Sequence, residues 1–465
     1  MNLPLLTHLH ILQLEQYELL PSLKWWTTHP LPTTLPSKTK LRLTPKSLLI
    51  SLLSLLFFIL LLLLTVKANY LLAFLVSVIY LFSPMPFLLV ALLLILPLQF
   101  VYLFFTVVRI RNVLTSYPLL TTVGITGSFG KTSTKNYLFH FLDSYKLTLT
   151  TPHSYNTPFS LAHVIDWELT KKVNYFIAEF SAFRPGNIRL LSTMVPPQFS
   201  LITGIGPQHL ERFGNLERIT QAKFELAQAT ANINNILVNI DNPQIQDYLH
   251  THPSYKSVKT YSISNPQATF YLTNIKHTKS YTSFIFHFQN RSFPFTSPIL
   301  FTSQLQNLVA ALSMAFILKT PSSTLQSALN SLPQIPHRLE TVILNQSTII
   351  DNTYSSNLNG FTQIMADLKK FIGSKVLVTP GLVELGIEGQ SIHHQLGQQA
   401  SEVFDTIVLV GSSTRTKTIS QAFHSSCPKK PIEWITNPSD YWPKITALSH
   451  QFDWILLEND LPENY

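Results

Sequence analysis

Between Ser47 and Val108 the sequence carries a single charge, Lys67, set between two uncharged runs, Ser47 to Val66 and Ala68 to Val108. About 20 consecutive apolar residues span the hydrocarbon core of a bilayer, and every backbone N–H and C=O there must be satisfied within the segment, which leaves helix as the fold. Ser83-Pro84-Met85-Pro86 interrupts the second run and divides it into a short segment, Tyr70 to Phe82, and a full-length one, Phe87 to Val108. The runs begin too late and are too long for a signal peptide. They also explain a composition, 46% hydrophobic and 12% charged, that is skewed for a soluble protein.

Lys38, Lys40, Arg42 and Lys46 precede the first run, and Arg109 and Arg111 follow the last. The positive-inside rule places both flanks in the cytoplasm, which requires an even number of crossings; three crossings with an external N-terminus is the alternative. The even count is favoured because the basic clusters lie close to the spans. Upstream, His8 to Trp26 is an amphipathic candidate for the membrane interface or for packing on the rest of the chain, followed by a linker at Pro30, Pro32 and Pro36. The formal charge of +9 suits an anionic lipid surface or a phosphorylated substrate. Without a Lys/Arg run interleaved with aromatics, it does not indicate nucleic acid. Cys427 is the only cysteine, which excludes intrachain disulfides and a cysteine-based zinc site and fits a reducing cytosol.

Past the apolar region, Thr122 to Lys135 reads Thr-Val-Gly-Ile-Thr-Gly-Ser-Phe-Gly-Lys-Thr-Ser-Thr-Lys. A β-branched run ends at Ile125, glycines follow at Gly127 and Gly130, and Lys131-Thr132 opens a stretch with apolar residues at helical spacing (Tyr137, Leu138, Phe141, Leu142). This is a phosphate loop. Backbone N–H groups of Gly127, Ser128, Gly130 and Ser133 can turn toward an anion at a helix N-terminus, Lys131 can hold the outer phosphates, and Thr132 can ligate Mg²⁺. The strict spacing G-x-x-x-x-G-K-[ST] is not met, because Ile125 stands where its first glycine belongs.

The remaining pattern alternates strands (Tyr175 to Phe180, Phe199 to Thr203, Asn235 to Ile240) with helices such as Leu216 to Ala231, which predicts a parallel sheet covered by helices. Short β-like pieces between Asn242 and Pro298 predict a small antiparallel excursion, and Pro321 to Pro336 a hinge. Strands at Thr341 to Ile350, Lys375 to Thr379, Thr406 to Val410, Ile432 to Ile435 and Trp454 to Leu457 then predict a second α/β unit without a G-x-G-x-x-G motif. The expected organisation is therefore an α/β protein in four parts: a segment at 1–46, a membrane region of two or three spans at 47–111, a P-loop domain with a parallel sheet at 112–320, and a Rossmann-like α/β domain at 321–465. Glu179 and His209 fall at the C-terminal ends of predicted strands, where ligands of open α/β sheets gather, and with Thr132 they make a candidate hard-metal site.

The loop at 126–135, the segment Gly-Ile-Gly-Pro-Gln-His-Leu-Glu-Arg-Phe-Gly-Asn-Leu-Glu-Arg-Ile-Thr-Gln-Ala-Lys at 204–223, and Asp351-Asn-Thr-Tyr-Ser-Ser-Asn357 together resemble the Mur ligase family. Their order along the chain matches as well. The resemblance is nearest to the branch that adds D-alanyl-D-alanine to the UDP-N-acetylmuramoyl tripeptide, and it covers roughly residues 112 to 460. It implies that Lys131 and Thr132 hold ATP phosphates and Mg²⁺, and that Glu179 and His209 are metal ligands. Lys223 corresponds to a lysine that several members carbamylate with CO₂, becoming an anionic ligand or organiser for magnesium. Arg338 corresponds to an arginine that reaches the ATP phosphates after closure, and Asp351, with Tyr354 in the same loop, to an aspartate near the ribose. Ser303-Gln304-Leu305-Gln306-Asn307 replaces a His-Asn-x-x-Asn segment at the adenine, keeping Asn307 and substituting at Gln304. Asn156 resembles an active-site-loop asparagine in a shortened context, and Thr379 to Gly386 a substrate-facing loop.

Two departures accompany the resemblance. The small domain that grips the UDP-sugar is absent, with the apolar region in its place, and the basic Lys-Gly-Ser-Arg segment near the C-terminus is replaced by Glu458-Asn459-Asp460. The implied activity is ATP-dependent, ADP-forming amide ligation in peptidoglycan precursor synthesis, joining a muramoyl-peptide or other carboxylate to an amine through an acyl phosphate. The implied location is the cell membrane, with the catalytic domains in the cytoplasm. The alternatives are another Mur-like amide ligase of the polyglutamate type, or a weakly active membrane scaffold for cell-wall enzymes.

Overall fold

The computed structural model describes residues 4–15, 17–31, 41–152, 155–207, 210–278, 281–354, 356–383, 385 and 388–459, with only the backbone of 210 and 211. His209 lies outside the described residues, as do most of the proline linker, Ser355, Glu384, Gly386 and the segment from Asp460 onward. The chain divides into two compact units, one up to Phe105 and one from Thr106 onward.

The first unit is helical: α1 (Pro4–Leu14), α2 (Leu19–Thr28), α3 (Pro45–Ala68), α4 (Tyr70–Phe82) and the greater part of α5 (Met85–Thr115). The single amphipathic helix expected from His8 to Trp26 is broken in two. Tyr17 takes a left-handed φ of 59° and its N–H closes back on Leu12 O at 2.7 Å, a pattern that ends helices. Thr44 and Ser47 form a reciprocal cap on α3 with Pro45 at its first turn, and the Asn69 side chain accepts from Leu71 N at 2.8 Å to start α4. Pro84 disfavours helix at Ser83, where α4 stops. Among the described residues, α3 and α5 are long and apolar enough to cross a membrane, whereas α4 is shorter. Phe58 stacks on Tyr80 at 4.2 Å and Tyr80 meets Phe87 edge-on at 5.1 Å, so α4 folds back along α3 and the Ser83-Pro84 break sits beside the middle of α3.

The second unit holds two sheets. The first contains β1 (Thr121–Thr126), β2 (Thr148–Thr150), β3 (Tyr175–Glu179), β4 (Phe199–Ile202), β5 (Ile236–Asn239), β6 (Lys259–Ser262), β7 (Phe270–His277), β8 (Thr282–Phe288) and β9 (Arg291–Ser297), in the order β2-β3-β1-β4-β5-β6-β7-β8-β9. It is parallel through β7 and antiparallel from β7 to β9, the expected excursion. Its helices include α6 (Lys131–Asp143), α7 (Pro158–Glu168), α8 (Asn187–Met194), α9 (Leu210–Phe213), α10 (Leu216–Gln228), α11 (Pro243–Thr251) and α12 (Thr302–Ile317). Val123, Ile125, Ile177 and Leu201 from the strands pack on Leu138 and Phe141 of α6 and Leu308 and Leu312 of α12, which is the core that fixes the β1–α6 junction.

The segment from Pro321 to Pro336 is not an open hinge: it contains α13 (Ser322–Asn330), buried through Leu325, Ala328 and Leu329. Beyond it, β10 (Glu340–Leu344), β11 (Ser347–Asn352), β12 (Lys375–Thr379), β13 (Thr406–Val410), β14 (Ile432–Ile435) and β15 (Trp454–Glu458) form the second sheet, in the order β10-β11-β15-β12-β13-β14. The run Thr341 to Ile350, expected as one strand, is a hairpin, because Asn345 takes φ 53° and turns the chain so that Leu344 pairs with Ser347. From β11 to β14 the strands are parallel, as the alternating pattern predicts.

Candidate functional site

β1 lies between β3 and β4, so the loop leaving it is flanked by the C-terminal ends of both neighbours. That is the position where ligands of an open α/β sheet collect. The loop is held on the β4 side: Ser128 N donates to Gly204 O at 2.7 Å and Ser128 Oγ to Gly206 O at 3.1 Å. Gly130 adopts φ +81°, and a Cβ there would overlap the amide oxygen of Asn307 on α12. Only glycine combines that turn with so close a neighbour. Lys131 opens α6 and donates from Nζ to Gly127 O at 2.9 Å and Ser128 O at 3.2 Å, folding over its own loop.

On the β3 side stands Glu179, 1% exposed. It accepts from Thr132 Oγ1 at 2.8 Å and lies 3.7 Å from Lys135 Nζ, which also donates to Thr151 O at 2.6 Å. Burial lowers the pKa of Lys135, with Glu179 opposing that shift and Arg338 adding to it. Lys223, on α10 and 3% exposed, is displaced further: burial and then Lys131 push its pKa well below the usual lysine range, against the pull of Glu179 and Glu225. The Glu225 carboxylate is committed to the start of α8, accepting from Gly186 N at 2.6 Å and Arg189 N at 2.9 Å. Lys131, Lys135 and Arg338 thus stand around Glu179, with Glu225 committed to α8, an excess of positive charge suited to a polyphosphate.

Arg338 reaches this cluster from the connection into the second sheet. It lies between His337 at φ 59° and Leu339 at φ 58°, two non-glycine residues in the left-handed region, a conformation that costs about 1–2 kcal/mol per residue. Its guanidinium is half-buried over the Tyr354 ring, 5.0 Å from the centroid, and it experiences the charge of Glu179. Asn156 is nearby in the fold, donating to Ser181 Oγ just past β3 at 3.0 Å.

Other residues singled out from the sequence stand apart from the phosphate loop. Gln304 donates from Nε2 to Leu339 O at 3.2 Å and lines a cleft with Tyr137, Ile299, Leu332 and Leu339. Asp351 accepts from His337 Nδ1 at 2.8 Å and from Thr353 Oγ1 at 2.6 Å. Sequence reasoning passed over Lys135, Thr151 and Glu225. Lys135 had a readable signal, since it falls on the same face of α6 as Leu138 and Leu142, where a lysine is buried only with a partner.

Residues 125–315 match the Mur ligase middle domain, so the match takes in the end of β1 with its loop, Glu179, Lys223 and most of α12. Along a longer stretch, the chain is 29% identical over 334 residues to the UDP-N-acetylmuramoyl-tripeptide--D-alanyl-D-alanine ligase of Buchnera aphidicola subsp. Acyrthosiphon pisum, covering 70% of this chain and 72% of that protein. Residues 125–315 are thus a Mur ligase middle domain. To the enzyme of the same name from Escherichia coli K12 it is 27% identical over 296 residues, 63% of this chain and 65% of the relative. The fold matches that of the MurF ligase of Thermotoga maritima, solved in complex with ADP, with a TM-score of 0.66 and 24% identity over 77% of this chain and 80% of that one. The fold is thus that of the MurF ligases, and the chain is a homologue of the MurF-type enzymes.

Proposed function

We propose that the chain is an ATP-dependent, ADP-forming amide ligase of peptidoglycan precursor synthesis, held at the membrane by α3 and α5, that adds D-alanyl-D-alanine or a related amine to a muramoyl peptide. The observation that carries this reading is the Thr132–Glu179 pair at 2.8 Å under a phosphate loop ringed by cations. Glu179 and the Thr132 hydroxyl are hard oxygen donors beside the space above the loop, so the residues fit Mg²⁺. When bound, the ion would offset the charge of the phosphates. Lys223 fits carbamylation: burial beside Lys131 favours its neutral amine, the form that adds CO₂, and a carbamate would give a second anionic group near Glu179.

Within that site, Lys131 releases its loop carbonyls to hold the outer phosphates, while Arg338 stabilises charge that develops as the γ-phosphoryl group passes to a substrate carboxylate. The resulting acyl phosphate is attacked at carbon by the free amine, which expels phosphate. The contact between Gln304 and Leu339 joins α12 to the connection carrying Arg338, so closure of the second sheet over the first would exclude water from the acyl phosphate. The base would enter the cleft lined by Gln304 and Tyr137, with Asn307 against the loop and Asp351 turned toward the ribose once His337 yields.

The fold-back of α4 onto the middle of α3 supports an even number of crossings, with α4 too short to cross and α5 making the return passage. Both flanks and the catalytic unit would then face the cytoplasm. Purified full-length chain, given ATP, a UDP-linked muramoyl tripeptide and D-alanyl-D-alanine, should yield ADP, phosphate and one new amide by mass spectrometry. Formation of AMP, or ADP release that ignores both co-substrates, overturns the reading.

A further inference from the structure

We propose that the N-terminal edge of the first sheet is a docking face for anionic lipid headgroups. The proposal rests on the reading of α3 and α5 as membrane-crossing helices. α5 runs unbroken from Met85 to Thr115, and its uncharged stretch ends at Val108. The bilayer boundary on that reading falls at the turn carrying Arg109 and Arg111.

The catalytic unit is fastened at this same turn. Arg109 makes a two-pronged pair with Asp166 in the last turn of α7, at 2.6 and 2.8 Å, and Tyr117 Oη donates to Leu169 O at 3.4 Å. Backbone bonds then line up three loops: Thr121 N donates to Asn174 O at 2.8 Å, and Asn174 N to Leu147 O at 2.9 Å. The segments after α5, before β2 and after α7 therefore form one edge, next to the last turns of α5.

What that edge exposes is unusual for a surface meant to face water. Leu119 is 85% exposed, Trp167 79% and Leu147 49%, and they are interspersed with exposed Lys146, Lys171 and Lys172. Tyr145 lies among them with Lys146 Nζ 5.2 Å from its ring centroid. Aromatic and aliphatic side chains mixed with lysines, next to the basic end of a membrane helix, are the composition of a membrane interface. Five cations (Arg109, Arg111, Lys146, Lys171, Lys172) stand there against Asp143, Asp166 and Glu168, and Asp166 is taken by Arg109, so the balance favours anionic headgroups. Lys131 and Glu179 lie at the opposite ends of the same strands, about 15–20 Å away at ~3.3 Å per residue. The docked face and the nucleotide site thus look in opposite directions.

The test uses full-length Cys427→Ser protein in nanodiscs, carrying single cysteines at Phe100→Cys, Trp167→Cys or Ile372→Cys labelled with an environment-sensitive fluorophore. Phe100 is an exposed residue of α5 and Ile372, 92% exposed, is the control in the second sheet's domain. With anionic lipid the label at 167 should shift to the blue while that at 372 stays water-like, and the shift should shrink in neutral lipid, in high salt, and with Lys171→Glu/Lys172→Glu. A lipid-like label at 100 together with a water-like label at 167 overturns the docking face and leaves the membrane reading intact. A water-like label at 100 removes the membrane reading and the proposal with it. An equal shift at 167 in anionic and neutral discs overturns the headgroup assignment.

Discussion

Replacing Lys223 with methionine should stabilise the enzyme in the absence of CO₂ while abolishing its ligase activity. Methionine keeps the length and volume of the lysine stem without the amine. Lys223 is 3% exposed, and burial and Lys131 both work against its ammonium form. A polar group buried without a compensating partner costs about 1–3 kcal/mol, so removing the amine should yield a gain of that order at neutral pH. For a unit of this size that is a rise of about 1–4 °C in Tm. A depressed folded-state pKa means that the unfolded chain binds more protons between that value and the ordinary 10.5, so wild-type stability increases with pH through this window. The advantage of Lys223→Met should therefore be greatest below the folded pKa and fade as pH rises toward 10.5. Thermal unfolding of detergent-solubilised protein in CO₂-depleted buffer across that range measures the gap. Added bicarbonate at mildly alkaline pH should raise Tm for the wild type alone. A methionine variant less stable at neutral pH, or a gap that does not change with pH, would refute the reasoning.

Lys131→Ala should lower kcat/KM for ADP formation by about 10³-fold, the loss expected when a fixed donor to a transferring phosphoryl group is removed, with Tm nearly unchanged. Gly130→Ala introduces a side chain at φ +81° against Asn307 and should cost about 1–3 kcal/mol, read from urea unfolding, together with a raised KM for ATP. Asp367 accepts from both Thr302 N and Thr302 Oγ1 at 2.8 Å and ties the start of α12 to the helix Leu358–Leu368 of the second sheet. Asp367→Ala should cost about 1.5–3 kcal/mol in the same assay, and an effect below 0.5 kcal/mol would remove that tie from the account.

The legible parts of the fold were those where a short-range pattern and the tertiary outcome agree. Lys375–Thr379 and Thr406–Val410 are strands at the limits their β-branched runs suggest, because each is buried within the sheet and needs no alternation; Ile432–Ile435 keeps its limits too, at the sheet's edge. The breaks at Tyr17 and Asn345 were hidden, since each rests on one left-handed residue that is not glycine. In the site, Lys131, Thr132 and Gly130 are written contiguously and could be read directly. Lys135 was passed over because its partners, Thr151 and Glu179, come from β2 and β3, and nothing local links them. Gln304, which the resemblance sets at the adenine, also caps α12 and bonds Leu339, a structural duty that spacing does not announce.

Glu458 shows that the substitution near the C-terminus is built into the second sheet. The resembled branch carries a basic Lys-Gly-Ser-Arg segment in this region, whereas here β15 ends in a carboxylate that is 1% exposed. Asn352 at the end of β11 donates its amide to both oxygens of Glu458, at 2.9 and 3.0 Å, and Ser356 Oγ donates to one of them. Donors on the neighbouring strand and loop have thus been matched to an anion. Restoring a base alone, as Glu458→Lys, would aim an ammonium at the Asn352 amide hydrogens inside the domain and should destabilise the protein by about 3–5 kcal/mol. Glu458→Gln keeps an acceptor for Asn352 and should cost about 1 kcal/mol. Equal losses for the two variants in urea unfolding would mean that the site tolerates either charge and that Asn352 and Ser356 are not matched to the carboxylate. The predicted inequality means instead that Asn352 and Ser356 are set to hold a carboxylate at this end of the sheet, as Thr132 and Lys135 hold Glu179 in the other.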